Sequence, residues 1–394
     1  MRIALLAHHT APIAPPFIGG VESQTWYLAR WLAQRGHEVT LFGLAGSHVP
    51  GVTIRELEVR PATFSARARE DVSTQPGAFL AAHHAYLEAL TELASDCPFD
   101  VVHANTLHYL PVAMAASLPV EPVLSLHCPP TPWLESALQV AGQLGALPLA
   151  VTAVSRALAR EWRHVVRSPA VIPNGIDLAA WQAGPGGSGS GCAWVGRIVP
   201  EKAPHLAIDA ARAAGRHVRL AGPIIDRGYW EAEVRPRLGR HATYEGHLDH
   251  RGLVALVGAA AVSIQSPVWE EPFGLTAAEA MACGTPVAAF ARGGLRDVIG
   301  AASGCLARPG DVASLAAAIT RAAQLDRAGV RADAAARLGV DAMGLGYEAA
   351  YLRQVQRAGP PAASEATPVQ IRVPAGRAVA GLDAGVSEGT PAAA

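Results

Sequence analysis

The chain has 394 residues, of which 50% are hydrophobic and 16% charged, with a formal net charge of -1. That length is too great for one comfortable core and suits two domains, and the near-neutral net charge gives no electrostatic reason to expect binding to nucleic acid or an acidic membrane surface, leaving only a local basic patch for it. No run of about 18 apolar residues suggests a membrane span, and the five scattered cysteines, Cys97, Cys128, Cys192, Cys283 and Cys305, lack the C-x-x-C spacing of a zinc or dithiol site, so reduced, buried thiols in a cytoplasmic protein are expected.

In chain order, "RIALLAH" reads as a first strand; its apolar run stops at His8 with no small-residue cleavage site behind it, which argues against a signal peptide. A helix "VESQTWYLARWLAQRG" follows, then "EVTLFGL", the helix "GAFLAAHHAYLEALTELA", and strands "DVVHAN", "VLSLH" and "LAVTAVS". Alternation of short apolar runs with helical patterns predicts a parallel sheet covered on both faces. "AVIPNGIDLAAW" closes this half, and "AGPGGSGSG", residues 183–191, has the composition of a linker. Gly184, Gly186 and Gly189 formally spell G-x-G-x-x-G there, but the strand comes after them instead of before, so a dinucleotide fingerprint is rejected.

Alternation restarts at "CAWVG" and runs through "APHLAIDAARAAG", "HVRLAG", "ATYEG", "DHRGLVALVGAA", "AVSIQS", "TAAEAMACG", "PVAAF" and "VASLAAAITRAAQ". "MGLGYEAAYLRQVQR" is a last helix, with Tyr347 and Tyr351 at helical spacing. Beyond about Arg357 a Pro/Ala/Gly/Ser composition predicts a disordered tail. Two α/β domains leave a cleft between the C-terminal ends of their strands, where such sheets take ligands.

Four groups carry candidate chemistry. Among 32 basic residues there is one lysine, Lys202, five positions after Arg197 on a strand-to-helix loop. Two cations beside helix-start amides suit a diphosphate; the plainer alternative is a pair of solvated surface charges. "EEPFGLTAAEA" puts Glu271 in a loop and Glu279 in the helix that starts near Leu275, with Pro272 and Gly274 shaping the backbone between them. Amides around Gly274, Leu275 and Thr276 point back into that loop, where an anion or a sugar oxygen can accept from them. Gly19 and Gly20, between the first strand and the first helix, permit close approach of backbone to a ligand. His127 ends the strand "VLSLH" and faces the cleft, although most of the 15 histidines are expected to be solvated or satisfied in the core.

Together "PPFIGGVE", "DVVHA", "TAVSRAL", "VIPNGID", "VGRIVPEKAP", "LAGP", "YEGHLD" and "EPFGLTAAEAMACGTPVAAF" resemble the retaining glycosyltransferases of family 4, and the loop "APPFIGGVE" is most similar to the avilamycin-type branch. The resemblance implies the α/β GT-B fold, two doubly wound Rossmann-like domains facing across a cleft. Residues 1–182 would form the acceptor side, 183–191 the linker, 192–340 the nucleotide-sugar side, 341–357 a helix returning to the first domain, and 358–394 the tail. It implies metal-independent, cofactor-free transfer from a nucleotide-diphosphate sugar, a UDP- or GDP-sugar first, to an unidentified acceptor hydroxyl. Arg197 and Lys202 would hold the diphosphate, Glu279 the ribose, and Glu271 with the amides after Phe273 (Gly274, Leu275, Thr276) the transferred sugar. Gly19 and Gly20 would lie against phosphates or acceptor, His127 would face the donor sugar, and the backbone of Gly246, His247 and Leu248 would edge the base. Cys128 and Asn105 depart from the family's usual residues, both on the acceptor side. A nucleotide-sugar 2-epimerase or a glycosidase of similar architecture is the alternative, the latter using Glu271 and Glu279 as its carboxylate pair.

Overall fold

The computed structural model describes residues 1–70, 75–143, 149–186 and 191–358. Residues 187–190 of the expected linker and the expected tail from 359 onward lie outside the described residues.

Two parallel sheets organise the chain. The first comprises β1 (Arg2–Ala7), β2 (Glu38–Gly43), β3 (Thr53–Glu56), β4 (Val101–Asn105), β5 (Val123–Leu126), β6 (Ala150–Ala153) and β7 (Ala170–Val171), in spatial order β3-β2-β1-β4-β5-β6-β7. The second comprises β8 (Cys192–Val195), β9 (Val218–Ala221), β10 (Ala242–Tyr244), β11 (Val262–Gln265), β12 (Val287–Phe290) and β13 (Gly304–Ala307), in order β10-β9-β8-β11-β12-β13. The apolar runs read from the sequence are the central strands: β4, β5, β11 and β12 are buried along their whole length, as strands covered on both faces must be. In each sheet the strand order reverses once, between β1 and β4 and between β8 and β11, so the loops leaving their C-terminal ends open a crevice.

Elements absent from the sequence reading lie at the periphery. β3 is mostly exposed and offers no apolar run. The helix Arg327–Leu338 buries only Val330, Ala334 and Leu338, a stripe too thin to stand out among its arginines and alanines. The helix Pro132–Gln143 buries only Leu134 and Leu138.

Several contacts join the halves. The helix Gly20–Gln34 starts directly against Leu275, where a Cβ on Gly20 would sit 2.6 Å from Leu275 Cδ1. Ser155 caps the helix Arg156–Glu161 by accepting from the Leu158 amide at 3.0 Å, and its hydroxyl donates to the Pro272 carbonyl at 2.7 Å. Gly184 and Gly186 donate to the carbonyls of Cys283 (3.1 Å) and Gly258 (3.2 Å), with Gly184 crossing Gly258 backbone on backbone. The last helix, Val340–Ala358, packs on Gly20–Gln34, where Trp31 Nε1 donates to Asp341 Oδ1 at 2.7 Å. Its fully buried Tyr347 and Tyr351 hydroxyls reach Ser125 Oγ (2.9 Å) and His103 Nδ1 (2.7 Å) on β5 and β4. No helix of the described residues is long and apolar enough to cross a membrane. Of the cysteines, which are all unbridged, only Cys192 and Cys283 are fully buried; the expectation of burial fails for Cys97, Cys128 and Cys305, which stand nearer the surface.

Candidate active site

The loop after β8 is shaped by a backbone crossing: at Gly222 (φ +142°) a Cβ would overlap the Gly196 carbonyl. Arg197 follows, 46% exposed and 3.7 Å from Glu201. Lys202 ends the turn Pro200–Lys202, and the next residue, buried Ala203, is held left-handed at φ +44°, local strain of the kind found at functional sites. The lysine is held firmly. Its Nζ donates to Glu271 Oε2 at 2.6 Å, Trp269 Nε1 donates to the same oxygen at 3.0 Å, and the ammonium lies 5.2 Å from the Trp269 ring centre. The sequence singled out both charges without showing that each is the other's partner.

Glu271 belongs to a loop braced from behind. Its carbonyl accepts from the Gly294 amide at 2.6 Å, and Gly293 (φ +49°) lies so close that a Cβ there would overlap the Glu271 backbone. Glu270 accepts from the Gly293 amide (2.5 Å) and from Arg292 (3.0 Å). Burial raises its pKa, but these bonds with the charges of Arg292 and Arg296 outweigh it and hold the carboxyl below its ordinary value. Glu270, Trp269, Arg292 and the Gly293–Gly294 pair were not predicted; the doubled glutamate and the "RGG" after the strand "PVAAF" were the available signals.

Gly274 (φ +102°) then turns the chain into the helix Leu275–Ala282, whose first amides have no intrahelical acceptor. Phe273 buries its ring in the core, and the Thr276 hydroxyl donates to Gln265 Oε1 at 2.9 Å; the groups expected to meet a ligand here are the backbone amides. Glu279, one turn into the helix, differs from every other acid of the site. Its carboxylate has no hydrogen-bond or ion-pair partner among the described residues, and burial alone pushes it up to about 7. Tyr27, on the helix Gly20–Gln34, is pushed up to about 12 by burial and by the charges of Asp177 and Glu279, which places it near that carboxylate. Gly246 (φ +81°) follows β10, its carbonyl accepting from Gly222 at 2.9 Å, with His247 exposed and Leu248 partly buried behind it.

On the first sheet, Gly19 precedes the helix start and its space is taken by Glu22, which accepts from Thr10 Oγ1 at 2.8 Å. His127 is 8% exposed, and its Nε2 lies 2.7 Å from Asn105 Oδ1. The Asn105 amide donates to Gln24 Oε1 and to Thr25 Oγ1, both at 2.7 Å, while Thr25 spends its own proton on the Val21 carbonyl. Asn105 Oδ1 is therefore an acceptor, His127 carries its proton on Nε2, and its Nδ1 is the lone-pair side. Burial, with the charge of nearby His8, pulls this imidazole down to about 3, so it is neutral. Asn105, seen in the sequence only as a departure, is the residue that orients His127.

A model for "Glycosyltransferase Family 4" matches residues 18–180, one for "Glycosyl transferases group 1" matches 192–338, and glycogen synthase of Mycobacterium tuberculosis is 30% identical over 365 residues, covering 81% of this chain and 85% of that protein. The chain belongs to the family 4 glycosyltransferases. This glycosyltransferase is also 29% identical over 343 residues to D-inositol 3-phosphate glycosyltransferase of Mycolicibacterium smegmatis, which covers 75% of this chain and 76% of that one. Among solved structures, AviGT4, a glycosyltransferase involved in avilamycin A biosynthesis, superposes with a TM-score of 0.68 at 21% identity, covering 91% of this chain and 99% of that chain. Anabaena HepE in complex with UDP-glucose does so at 0.66 and 20% identity, covering 90% of this chain and 100% of that chain. The fold is thus GT-B, two Rossmann-like parallel-sheet domains.

Proposed function

We propose that this glycosyltransferase moves a sugar from a nucleotide-diphosphate sugar to an acceptor hydroxyl, with retention at the anomeric carbon and without a metal. Glu279 carries the proposal: a half-buried carboxylate with no partner among the described residues, on the helix that follows the Lys202-holding Glu271, is a site prepared for a ligand's hydroxyls. In this scheme Arg197 and Lys202 face the diphosphate, Glu279 accepts from the ribose, and Glu271 with the Gly274 and Leu275 amides holds sugar hydroxyls. Gly246 to Leu248 edge the base, Gly19 and Gly20 close on the phosphates, and His127 faces the donor sugar. Residues 1–182 with the helix from 341 to 357 make the acceptor side, and 192–340 the donor side. HepE, solved with UDP-glucose, supports a UDP-sugar as the first donor to test, with GDP-sugars next. The likeness of the loop "APPFIGGVE" to the avilamycin-type branch is part of the same proposal.

The bond from the anomeric carbon to the diphosphate oxygen breaks, and its electron pair moves onto the diphosphate. Fixed cations gain interaction energy as that charge grows, which lowers the barrier without tightening the ground state. The acceptor oxygen bonds to the anomeric carbon on the face the diphosphate leaves, and its proton passes to a leaving phosphate oxygen. Glu271, bound to the Lys202 ammonium, aims that cation.

A thermal-shift screen of uridine, guanosine, adenosine and thymidine diphosphates tests the donor site. A ligand at about 100 times its Kd stabilises by roughly 2.7 kcal/mol, and absence of a shift with all four would sink the proposal. Proton NMR of the product reports the anomeric configuration. Epimerised nucleotide sugar formed without acceptor, or hydrolysis of p-nitrophenyl glucoside without nucleotide, would favour the epimerase or the glycosidase instead.

A further inference from the structure

The segments that leave the C-terminal edge of the first sheet, and the helix start beside them, share a compositional feature. Residues 8–20, 75–87, 105–120 and 127–134 contain no Asp, Glu, Lys or Arg. They supply a cluster of rings. His8 and His9 follow β1, and Thr106 to Tyr109 follow β4, its neighbour through the pair Ala7 and Asn105. His108 stacks on Tyr86 (4.6 Å between ring centres) and on Tyr109 (5.1 Å); Tyr109 stacks on Trp133 (5.2 Å), and Phe79 tilts against Trp133 at 5.3 Å.

This cluster has a buried, polar floor and an open wall. His108 is 6% exposed, and its Nδ1 accepts from the Leu110 amide at 3.2 Å, which puts the ring's proton on Nε2. Among the described residues that buried Nε2–H has no partner, and neither has the buried His9 Nδ1; the two ring centres are 6.0 Å apart. Unpartnered buried polar atoms are rare enough to ask for a ligand. Trp133, by contrast, is 49% exposed, a large aromatic face left in solvent. Burial holds both His9 and His108 below their ordinary value, His108 at about 3, so the floor is uncharged. The cations that precede this region in the chain have partners of their own: Arg67 pairs with Glu70 at 2.6 Å, and Arg69 donates to the Phe64 carbonyl at 3.0 and 2.9 Å.

We propose that this ring cluster is the acceptor subsite, and that it takes an uncharged acceptor with a flat apolar face, a sugar ring or an aromatic aglycone, laid on Trp133 and Phe79 with one of its oxygens accepting from His108 Nε2–H; the assignment rests on the transfer reaction proposed above. A phosphorylated acceptor would bring two negative charges to segments with no cation to meet them.

The test is saturation-transfer NMR on the full chain with three probes, maltose, p-cresol and myo-inositol 3-phosphate, each with and without uridine diphosphate. Saturation of maltose or of p-cresol is expected, and which of the two responds separates the sugar from the aromatic source. Trp133→Ala is expected to weaken the responding probe about tenfold, the size of one lost ring contact. His108→Phe keeps the stack, removes the N–H, and is expected to weaken it as well. A retained nucleotide melt shift certifies that either variant is folded. Saturation of myo-inositol 3-phosphate alone, of no probe, or of a neutral probe unaffected by both variants overturns the subsite. Trp133-dependent saturation in a protein that no nucleoside diphosphate stabilises overturns the donor reading and leaves the ring cluster standing.

Discussion

Lys202 and Glu271 are 69 positions apart, and nothing in either local segment announces a bond of 2.6 Å between them. Their residue types were legible, because one lysine in a chain of arginines and a glutamate in a Pro/Gly loop are unusual; their pairing belongs to the crossover that brings β8 and β11 side by side. Lys202→Ala is expected to lower kcat by about 10²- to 10³-fold, the effect of losing one preorganised charge donor; steady-state activity within a few-fold of the native enzyme would rule the role out. Glu279 makes a second, pH-dependent prediction. Burial holds its carboxyl at about 7, above the 4.5 of the free group, so between those values the folded state binds the extra proton. Its contribution to stability is full below pH 4.5 and is lost as pH rises through 7. Nucleotide affinity runs the opposite way, since a ribose hydroxyl donates more strongly to the carboxylate than to the acid. Calorimetric titration with uridine diphosphate should show the native protein gaining affinity over Glu279→Gln between pH 6 and 8, and parallel curves would refute the contact.

The element that carries Glu271 and Glu279 is a strand, a loop and a helix, and its order was readable from "AVSIQSPVWEEPFGLTAAEAMACG" alone. What braces it comes from elsewhere, from the loop after β12. Gly293 sits at φ +49° with no room for a Cβ against Glu271, so Gly293→Ala is expected to cost about 2 kcal/mol or more. Urea denaturation reads the loss, and activity should fall with it because the displaced backbone is that of Glu271. Ser155 acts at the same scale from the first half of the chain. Ser155→Ala removes a helix cap and the bond to the Pro272 carbonyl, an expected loss of about 1 to 2 kcal/mol. These roles escaped a sequence reading because "RGG" and "TAVSRAL" identify a turn and a cap, while the surface each turn or cap meets lies more than a hundred residues away for Ser155 and about twenty for Gly293.

At the scale of the whole molecule, the chain closes on itself: the last helix returns under the first sheet, and its Tyr351 hydroxyl ends on His103 in the core. Tyr351→Ala is expected to destabilise by about 3 to 5 kcal/mol, the range for removing a buried aromatic, with equilibrium unfolding as the measure. His8, His103, His108 and His127 are all held far below 6.5, chiefly by burial. Each contributes stability that is present above pH 6.5 and lost as pH falls toward 3 or 4, because the unfolded chain takes the proton first. The urea midpoint should therefore drop from pH 7 to pH 5, and His103→Gln should flatten that drop. The sequence by itself determined the alternation of strands and helices, hence two parallel sheets with a cleft at their strand ends, since apolar periodicity and glycine punctuation are local properties. It also marked Lys202, Glu271, Glu279 and His127 as the residues to watch. Only the tertiary structure decided which of them are partners, that Glu279 has none among the described residues, that Asn105 turns His127, and that charge-free segments assemble a wall of rings, because burial and pairing are set by elements distant in the chain and adjacent in space.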